Sequence, residues 1–238
     1  MRKNNGAAVF ITATGTGVGK TVVSSLLVGF LRDMGLEAGY QKWVSTGGEV
    51  PEDLVVCLSM NNLPFDTAKL DLMAPYRFAL PASPHLAAEQ EGREIDPARI
   101  KKSFDRGLAD HDVLVVEGVG GVLVPLRRDL LLADFLTGLP LPVLVVARSG
   151  LGTINHTLLT VEALRSRKLA VLGVLFSDEQ EGMALDDPLI SDNMRTIGSM
   201  AGVEIFGRLP WTADYGQLKK VFEPIGGAIR QKLRSNDR

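Results

Sequence analysis

Residues 7–31 read AAVFITATGTGVGKTVVSSLLVGFL, and this stretch decides the fold. Residues 8–11 are a short apolar run that predicts a buried strand, whereas the apolar residues from Val22 to Leu31 recur at the spacing of one helix face. Gly35 marks the end of that helix. The glycines and threonines between the two elements therefore predict a turn that joins a buried strand directly to an amphipathic helix.

This glycine-rich turn is suited to binding phosphate. Backbone N–H groups of such a turn and the N-terminus of the following helix both attract anions, and the helix dipole adds about half a positive charge. Lys20 would reach the terminal phosphates of a nucleotide, and Thr21 would place its hydroxyl on Mg2+. The common pattern G-x-x-x-x-G-K-[ST] is incomplete, because Thr14 occupies the position of its first glycine. A strand-to-helix turn that merely exposes a lysine remains the alternative.

Farther along the chain, short apolar runs alternate with segments of helical periodicity. The predicted strands are at residues 38–41, 113–116, 143–146 and 171–176, and the predicted helices have apolar faces at residues 154–164 and 218–233. Strands that are apolar on both faces are typical of a parallel sheet covered by helices on both sides.

The remaining segments give no sign of a repeat or of a boundary between domains. Four prolines within residues 61–84 predict an ordered but irregular connection, and residues 234–238 predict a solvated tail. The sequence therefore predicts a single α/β domain over residues 1–238, with a mostly parallel sheet flanked by helices on both faces.

The composition excludes several classes of protein. The chain has 238 residues, 45% of them hydrophobic and 23% charged, with a formal net charge of -2, unlike a disordered or collagen-like protein. Its one cysteine, Cys57, cannot form a disulfide within the chain, so we expect a reducing, cytoplasmic location. We expect no signal peptide, because threonines interrupt the first apolar stretch and no small-residue cleavage site follows it. There is neither an apolar run of the roughly 18–20 residues of a membrane helix nor a long basic stripe. We expect small molecules or protein subunits as partners, and neither a membrane nor a nucleic acid.

Three more polar residues are predicted to lie near the turn. Glu117 follows the apolar run at residues 113–116, and because parallel strands end at one edge of a sheet, its carboxylate is a candidate ligand of Mg2+. Lys42 follows the run at residues 38–41 and should emerge at the same edge, although spacing alone does not give it a role. Asp53 is a weaker candidate, since an acidic residue in the first turn of a helix commonly complements the helix dipole.

Five motifs resemble those of the dethiobiotin synthetase family, and the resemblance extends from residue 10 to about residue 211. They are TGTGVGKT (residues 14–21), GYQKWVSTG (39–47), APYRFALPASPH (74–85), VEGVGG (116–121) and GLGTINHT (150–157). The last three together are much more specific than any phosphate-binding turn.

The resemblance implies a P-loop NTPase fold and an ATP- and Mg2+-dependent ligase of biotin biosynthesis. Such an enzyme converts CO2 and 7,8-diaminononanoate into dethiobiotin through a carbamate and a carbamic-phosphoric anhydride. It also implies a homodimer in which the substrate carboxylate binds across the interface.

The family's functional residues map onto this chain by position. The catalytic residues implied are Lys20, Lys42 and Thr16. The nucleotide site implied comprises Gly15, Thr16, Gly17, Val18, Gly19, Lys20, Thr21, Ser177, Pro210 and Trp211. The substrate site comprises Thr16, Lys42, Thr46, Gly120, Gly152, Thr153, Ile154 and Asn155, and the metal ligands are Thr21, Asp53 and Glu117. Residues 152–155 open a predicted helix, whose free N–H groups suit a carboxylate.

The chain departs from the family at four positions. Ala13 and Gly15 replace a glycine and an aspartate at the start of the turn, and Trp43 replaces the proline after the second lysine. Ser177 stands where an asparagine is expected to read the adenine edge, and a hydroxyl has fewer donors and acceptors than an amide. These changes put the nucleotide base preference and the exact substrate in question, but they leave the lysines and metal ligands in place.

Two other functions remain open. One is a relative that has diverged to act on another amine. The other is a nucleotide-dependent switch like the ATPases that position chromosomes or septa. Those ATPases usually carry a second lysine five positions before the loop lysine, where this chain has Gly15.

Overall fold

The computed structural model describes residues 6–184 and 186–236. The strands are β1 (Ala7–Ala13), β2 (Ala38–Lys42), β3 (Val44–Thr46), β4 (Tyr76–Phe78), β5 (Val113–Gly121), β6 (Pro125–Arg127), β7 (Leu130–Leu131), β8 (Val143–Arg148), β9 (Val171–Ser177) and β10 (Ile205–Leu209). The helices are α1 (Lys20–Asp33), α2 (Glu52–Met60), α3 (Leu70–Met73), α4 (Pro84–Gln90), α5 (Pro97–Asp110), α6 (Leu132–Leu136), α7 (Thr153–Arg165), α8 (Pro188–Ala201) and α9 (Tyr215–Asn236).

Six strands form one parallel sheet in the order β10-β9-β8-β1-β5-β2. β1 lies inside the sheet, between β8 and β5, and leads directly into the glycine-rich turn. Because the six strands run in the same direction, their carboxyl ends meet at one edge. The residues after β1, β8 and β9 and those at the end of β2 are thereby brought together.

Two apolar cores lie on opposite faces of this sheet. Within β1, Phe10 packs into one core, whereas Val9 and Ile11 pack into the other. α1 and α9 cover the second core with buried side chains such as Leu26 and Phe222. Since alternate side chains of a strand point to opposite faces, burial on both faces explains why the strands are apolar throughout. The predicted fold class is confirmed.

Several element ends differ from the prediction. The strand predicted at residues 113–116 continues to Gly121, because β1 pairs with it as far as Ala13, so Glu117 lies inside the strand rather than after it. The irregular connection at residues 61–84 contains a 3-10 turn at Thr67–Lys69 and the short elements α3 and β4. Residues 234–236, predicted as a solvated tail, are the last residues of α9, although Arg234 and Ser235 are exposed as predicted. Residues 237–238 lie outside the described part.

The sequence analysis did not predict α5, α8 or β10, whose residues are more polar than those of the other sheet strands and α1. None of the helices in the described residues is both long and apolar enough to cross a membrane. Residues 1–5 are outside the described part, and the prediction that no signal peptide is present falls partly on them.

Candidate active site

The glycine-rich turn leaves β1 and begins α1 at Lys20, as predicted. Gly17 (φ 76°) and Gly19 (φ 99°) adopt left-handed backbone conformations that favour glycine. Gly19 caps α1, and a Cβ atom there would lie only 2.6 Å from Ser177 Oγ at the end of β9. The turn can therefore pack this closely against Ser177 only because residue 19 has no side chain.

Lys20 points back along the turn and is largely buried. Its Nζ donates a hydrogen bond to the carbonyl oxygen of Gly15 at 3.0 Å. Burial, and next the positive charge of Lys42, lower the pKa of Lys20 to about 8. A nearly buried ammonium of this kind is poised to bind an anion, because an anion would supply the charge partner that the turn itself does not.

Lys42 ends β2 and binds the two predicted carboxylates directly. Its Nζ lies 2.7 Å from Glu117 Oε1, 2.8 Å from Asp53 Oδ2 and 2.9 Å from the carbonyl oxygen of Gly118. The pairing of β2 with β5 sets Lys42 opposite Glu117. An ammonium has three protons, so this arrangement uses them all. Lys42 therefore neutralises the carboxylates here and has no donor left for a substrate.

The charges of this group stabilise one another. Burial disfavours the charged form of Lys42, but the carboxylates of Glu117 and Asp53 outweigh it, so the pKa of Lys42 is raised. Burial likewise opposes ionisation of Asp53, but Lys42 outweighs it and the pKa of Asp53 is lowered. Both residues are thus held in their charged forms near neutral pH.

Thr21 completes the same cluster from the first turn of α1. Its Oγ1 lies 2.7 Å from Asp53 Oδ1 and 3.0 Å from Glu117 Oε1, and its single proton can serve only one of them at a time. Thr21, Asp53 and Glu117 thus bring three oxygen donors together, and oxygen is the ligand type that Mg2+ prefers.

Within the described residues, no three His, Cys, Asp or Glu side chains converge on a common point. The ligands that this cluster could offer are two carboxylates and a hydroxyl. Such a set suits an ion that keeps several of its waters, as Mg2+ does. The residues present therefore fit a magnesium ion better than a transition metal.

Tyr40 belongs to the cluster, although the sequence analysis missed it. Its fully buried hydroxyl donates a hydrogen bond to Glu117 Oε2 at 2.8 Å. Burial, and next the charge of Glu117, raise the pKa of Tyr40 well above its usual value, which keeps this donor protonated. A polar side chain two residues before Lys42 on the same face of β2 was the available signal.

Trp43, which replaces the proline that the resembled family has after the second lysine, is part of the core. Its Nε1 donates a hydrogen bond to Gln41 Oε1 at 3.0 Å, and its ring packs against Phe10, Phe104 and Phe135 with centroids 5.3, 5.8 and 5.6 Å away. The tryptophan thus anchors the end of β2 and helps to hold the neighbouring Lys42 in place.

Two of the predicted substrate residues lie beside each other. Thr16 is exposed on the turn, and its Oγ1 lies 3.7 Å from where a Cβ atom on Gly120 would be. Gly120 has a positive φ of 59° and so favours glycine. Thr46 ends the separate strand β3 and is half-buried.

The predicted carboxylate-binding residues form the start of α7. Gly152 caps this helix with φ 83°, Thr153 is buried, Ile154 is half-buried and Asn155 is exposed. The preceding Leu151 is 81% exposed, which is unusual for a large apolar side chain.

The predicted base-binding residues lie at the ends of β9 and β10. Ser177 ends β9, and Leu209 at the end of β10 pairs with it. Pro210 and Trp211 follow immediately. Trp211 is 46% exposed, so its ring is available as the wall of a site and is not part of the core.

Comparison with protein families identifies the group to which the chain belongs. A family model described as an AAA domain matches residues 7–218. The ATP-dependent dethiobiotin synthetase BioD of Methanococcus vannielii is 37% identical over 218 residues, which cover 91% of this chain and 100% of that protein. The enzyme of the same name from Anaeromyxobacter sp. (strain K) is 41% identical, over 92% of this chain and 97% of its own length. The chain belongs to the ATP-dependent dethiobiotin synthetase family.

Solved structures that resemble this dethiobiotin synthetase homologue support the fold alone. The MinC:MinD cell division protein complex of Aquifex aeolicus matches with a TM-score of 0.55 and 15% identity, over 96% of this chain and 95% of that chain. A ParA family ATPase from Chlorobium tepidum TLS matches with a TM-score of 0.53 and 12% identity, over 97% and 99% of the two chains. The family resemblance seen in the sequence is thus confirmed, and the P-loop fold with it.

Proposed function

We propose that this chain is an ATP-dependent dethiobiotin synthetase that closes a cyclic urea from 7,8-diaminononanoate and CO2. The observation that carries the proposal is the meeting of Lys20 and its glycine-rich turn with the Thr21, Asp53 and Glu117 cluster at one edge of the sheet. Such an edge can hold a triphosphate and a divalent cation together. Identities of 37–41% to named dethiobiotin synthetases, over nearly their full length, support the same conclusion.

The chemistry needs an acid anhydride intermediate. One amine of the substrate attacks CO2 and loses a proton to give a carbamate, whose oxygen then attacks the γ-phosphorus of ATP and releases ADP. The second amine attacks the carbamate carbon, which breaks the bond to phosphate and closes the ring. The products are dethiobiotin, ADP and phosphate. Phosphoryl transfer of this kind depends mainly on positioning and on stabilising charge.

The residues at this edge of the sheet each have a role in the proposed reaction. Lys20 and the amides of the turn hold the phosphate oxygens, and Thr21, Asp53 and Glu117 would hold Mg2+, which supplies positive charge to the triphosphate when bound. Lys42 would stabilise the oxygens of the carbamate with its ammonium. Thr16, Gly120 and Thr46 border the reacting groups, while Ser177, Pro210 and Trp211 surround the nucleotide base.

The remote end of the substrate is assigned to α7. The helix start at Gly152, Thr153, Ile154 and Asn155 suits its carboxylate through the N–H groups of this first turn, although the N–H of Thr153 already donates to the carbonyl oxygen of Gly150 at 3.3 Å. We place this site at the interface of a homodimer, as the family resemblance implies. The cytoplasmic location and the single domain over residues 1–238 stay predictions.

A coupled assay tests the proposal. Purified protein with ATP and Mg2+ is expected to release ADP only when 7,8-diaminononanoate and bicarbonate are both present, with dethiobiotin identified by mass. Omitting either substrate is the matched control. ADP release with another diamine alone would assign the chain to a diverged relative, and slow hydrolysis that ignores diamines but responds to a protein partner would assign it to the switch ATPases.

A further inference from the structure

Arg148 lies beside the phosphate-binding turn and has no place in the scheme above. It is the last residue of β8, the strand that pairs with β1, and it lies opposite Ser177 on β9. Its Nη2 lies 4.0 Å from where a Cβ atom on Gly15 would be. Gly15 is also the residue whose carbonyl oxygen accepts the hydrogen bond of Lys20. The guanidinium and the ammonium therefore border the same residue of the turn.

The guanidinium of Arg148 is poorly paired. Its ion pair with Glu179 joins Nη1 to Oε2 at 3.5 Å, and the two side chains are 33% and 40% exposed, which makes the pair weak. Its Nε is buried and has no hydrogen-bond partner among the described residues. A guanidinium has five N–H donors, so most of this group's binding capacity is unused.

Three buried hydroxyls near the carboxyl ends of β1 and β8 also lack partners among the described residues. The hydroxyls of Thr12, Thr14 and Ser149 are buried and, within the described part of the chain, accept and donate no hydrogen bond. Thr12 and Thr14 lie at the end of β1, and Ser149 directly follows Arg148. Buried polar groups in proteins are normally paired, so the unpaired Nε of Arg148 beside Gly15 marks a place that a polar ligand or ordered water completes.

We propose that Arg148 is a further phosphate-binding residue, whose guanidinium contacts the triphosphate of the nucleotide where it enters the turn at Gly15. This inference rests on the proposed function and deepens it. An arginine can donate two parallel hydrogen bonds to one phosphate, which a lysine cannot. Because Gly15 has no side chain, no side chain at position 15 blocks the guanidinium.

An aspartate at position 15 would change the charge around Arg148. A carboxylate built there would lie close enough to Arg148 to pair with it and to cancel its charge. With Gly15 that charge remains available, and the turn has one more unit of positive charge than an aspartate would leave it. The triphosphate is favoured over the carbamate as the ligand, because Lys20 and the turn amides surround the same residue.

Calorimetric titration with ATP in the presence of Mg2+, and with no diamine, tests this role. Arg148→Ala is expected to weaken ATP binding by about 10- to 100-fold, with Arg148→Lys recovering part of the loss. Gly15→Asp is expected to weaken binding similarly while keeping the arginine, and the double variant should lose little more than either single one. Arg106→Ala, which removes an exposed arginine paired with Asp110 on α5, is the matched control and should bind like the wild type.

The outcomes separate this inference from the proposed function. Equal ATP affinity in wild type and Arg148→Ala would overturn the inference alone. So would a loss that appears only in turnover with diamine and bicarbonate, since it would assign Arg148 to the carbamate. A wild type that binds no ATP would overturn the proposed function as well. If Arg148→Ala fails to fold, as judged by its circular dichroism spectrum, Gly15→Asp decides: unchanged binding would refute the inference.

Discussion

The two halves of the site differ in how completely their polar groups are paired. Around Lys42, the charges and donors of Tyr40, Asp53 and Glu117 satisfy one another within 3 Å. Around Gly15, by contrast, Lys20 has a carbonyl partner and Arg148 a distant carboxylate. This contrast accords with our proposal that the first half holds a metal cation and that the second half binds the phosphates of the nucleotide.

This difference predicts the largest effect for the removal of Lys42. In Lys42→Met, the buried carboxylate of Glu117 and the half-buried carboxylate of Asp53 lose their ammonium partner, and breaking the buried Lys42–Glu117 pair costs about 3–5 kcal/mol of unfolding free energy. Mg2+ should restore part of that loss, and raise the thermal midpoint more in the variant than in the wild type. Denaturant unfolding with and without Mg2+ measures both effects.

Lys101→Met serves as the control for Lys42→Met, because it removes an exposed lysine paired with Asp105 on α5. We expect a loss within about 0.5 kcal/mol and no response to Mg2+. If Lys42→Met were as stable as this control, the ammonium of Lys42 would not stabilise the carboxylates around it.

Removing Lys20 should affect activity much more than stability. Lys20→Ala loses one hydrogen bond to Gly15 but also relieves the burial of a charge, so the free energy of unfolding should change little. Turnover of ATP with both substrates should fall on the order of 10²–10³-fold, as when a donor that stabilises transition-state charge is removed. Steady-state ADP release measures the effect, and a rate near that of the wild type would contradict the role of the turn.

Tyr40→Phe should destabilise the half of the site around Lys42 less than Lys42→Met does. It leaves Glu117 without one donor and should lower the unfolding free energy by about 1.5–3 kcal/mol, the range for a hydrogen bond to a charged group. Thr12→Val is the matched substitution near the end of β1, where the buried hydroxyl has no partner in the described structure. It should leave stability unchanged or raise it, and equal losses in both variants would remove the contrast between the halves.

The pH dependence of ATP binding gives the smallest effect. Because burial, and next Lys42, lower the pKa of Lys20 to about 8, the free protein loses this proton above that pH. Affinity should be level just below pH 8 and then fall by up to about tenfold per pH unit, since binding must restore the proton. Calorimetry from pH 7 to 9.5 measures this, with Lys20→Met as the control that should lack the decline.

The sequence predicted the sheet well because its strands are buried on both faces and are therefore apolar throughout. It missed α5 and α8, whose outer faces are polar, and β10, which carries Arg208. It also predicted that Glu117 would lie near Lys20 and Thr21, since the carboxyl ends of parallel strands share an edge, whereas the place of Asp53 in this group followed only from the family resemblance.

Other contacts of the site join residues that are far apart in the sequence, so no local sequence pattern predicts them. The full pairing of Lys42 follows from the register of β2 against β5, which joins residues far apart in the chain. The approach of Arg148 to Gly15 similarly follows from the place of β8 beside β1. Such contacts become visible only when the order of the strands is known.

Calorimetric titration of ATP with Mg2+ into the wild-type chain and into Lys20→Ala measures whether the glycine-rich turn and Lys20 bind the nucleotide. We predict one nucleotide bound per chain in the wild type, and binding at least about tenfold weaker without the lysine. A wild type that binds no nucleotide, or a variant that binds it equally well, would contradict the account.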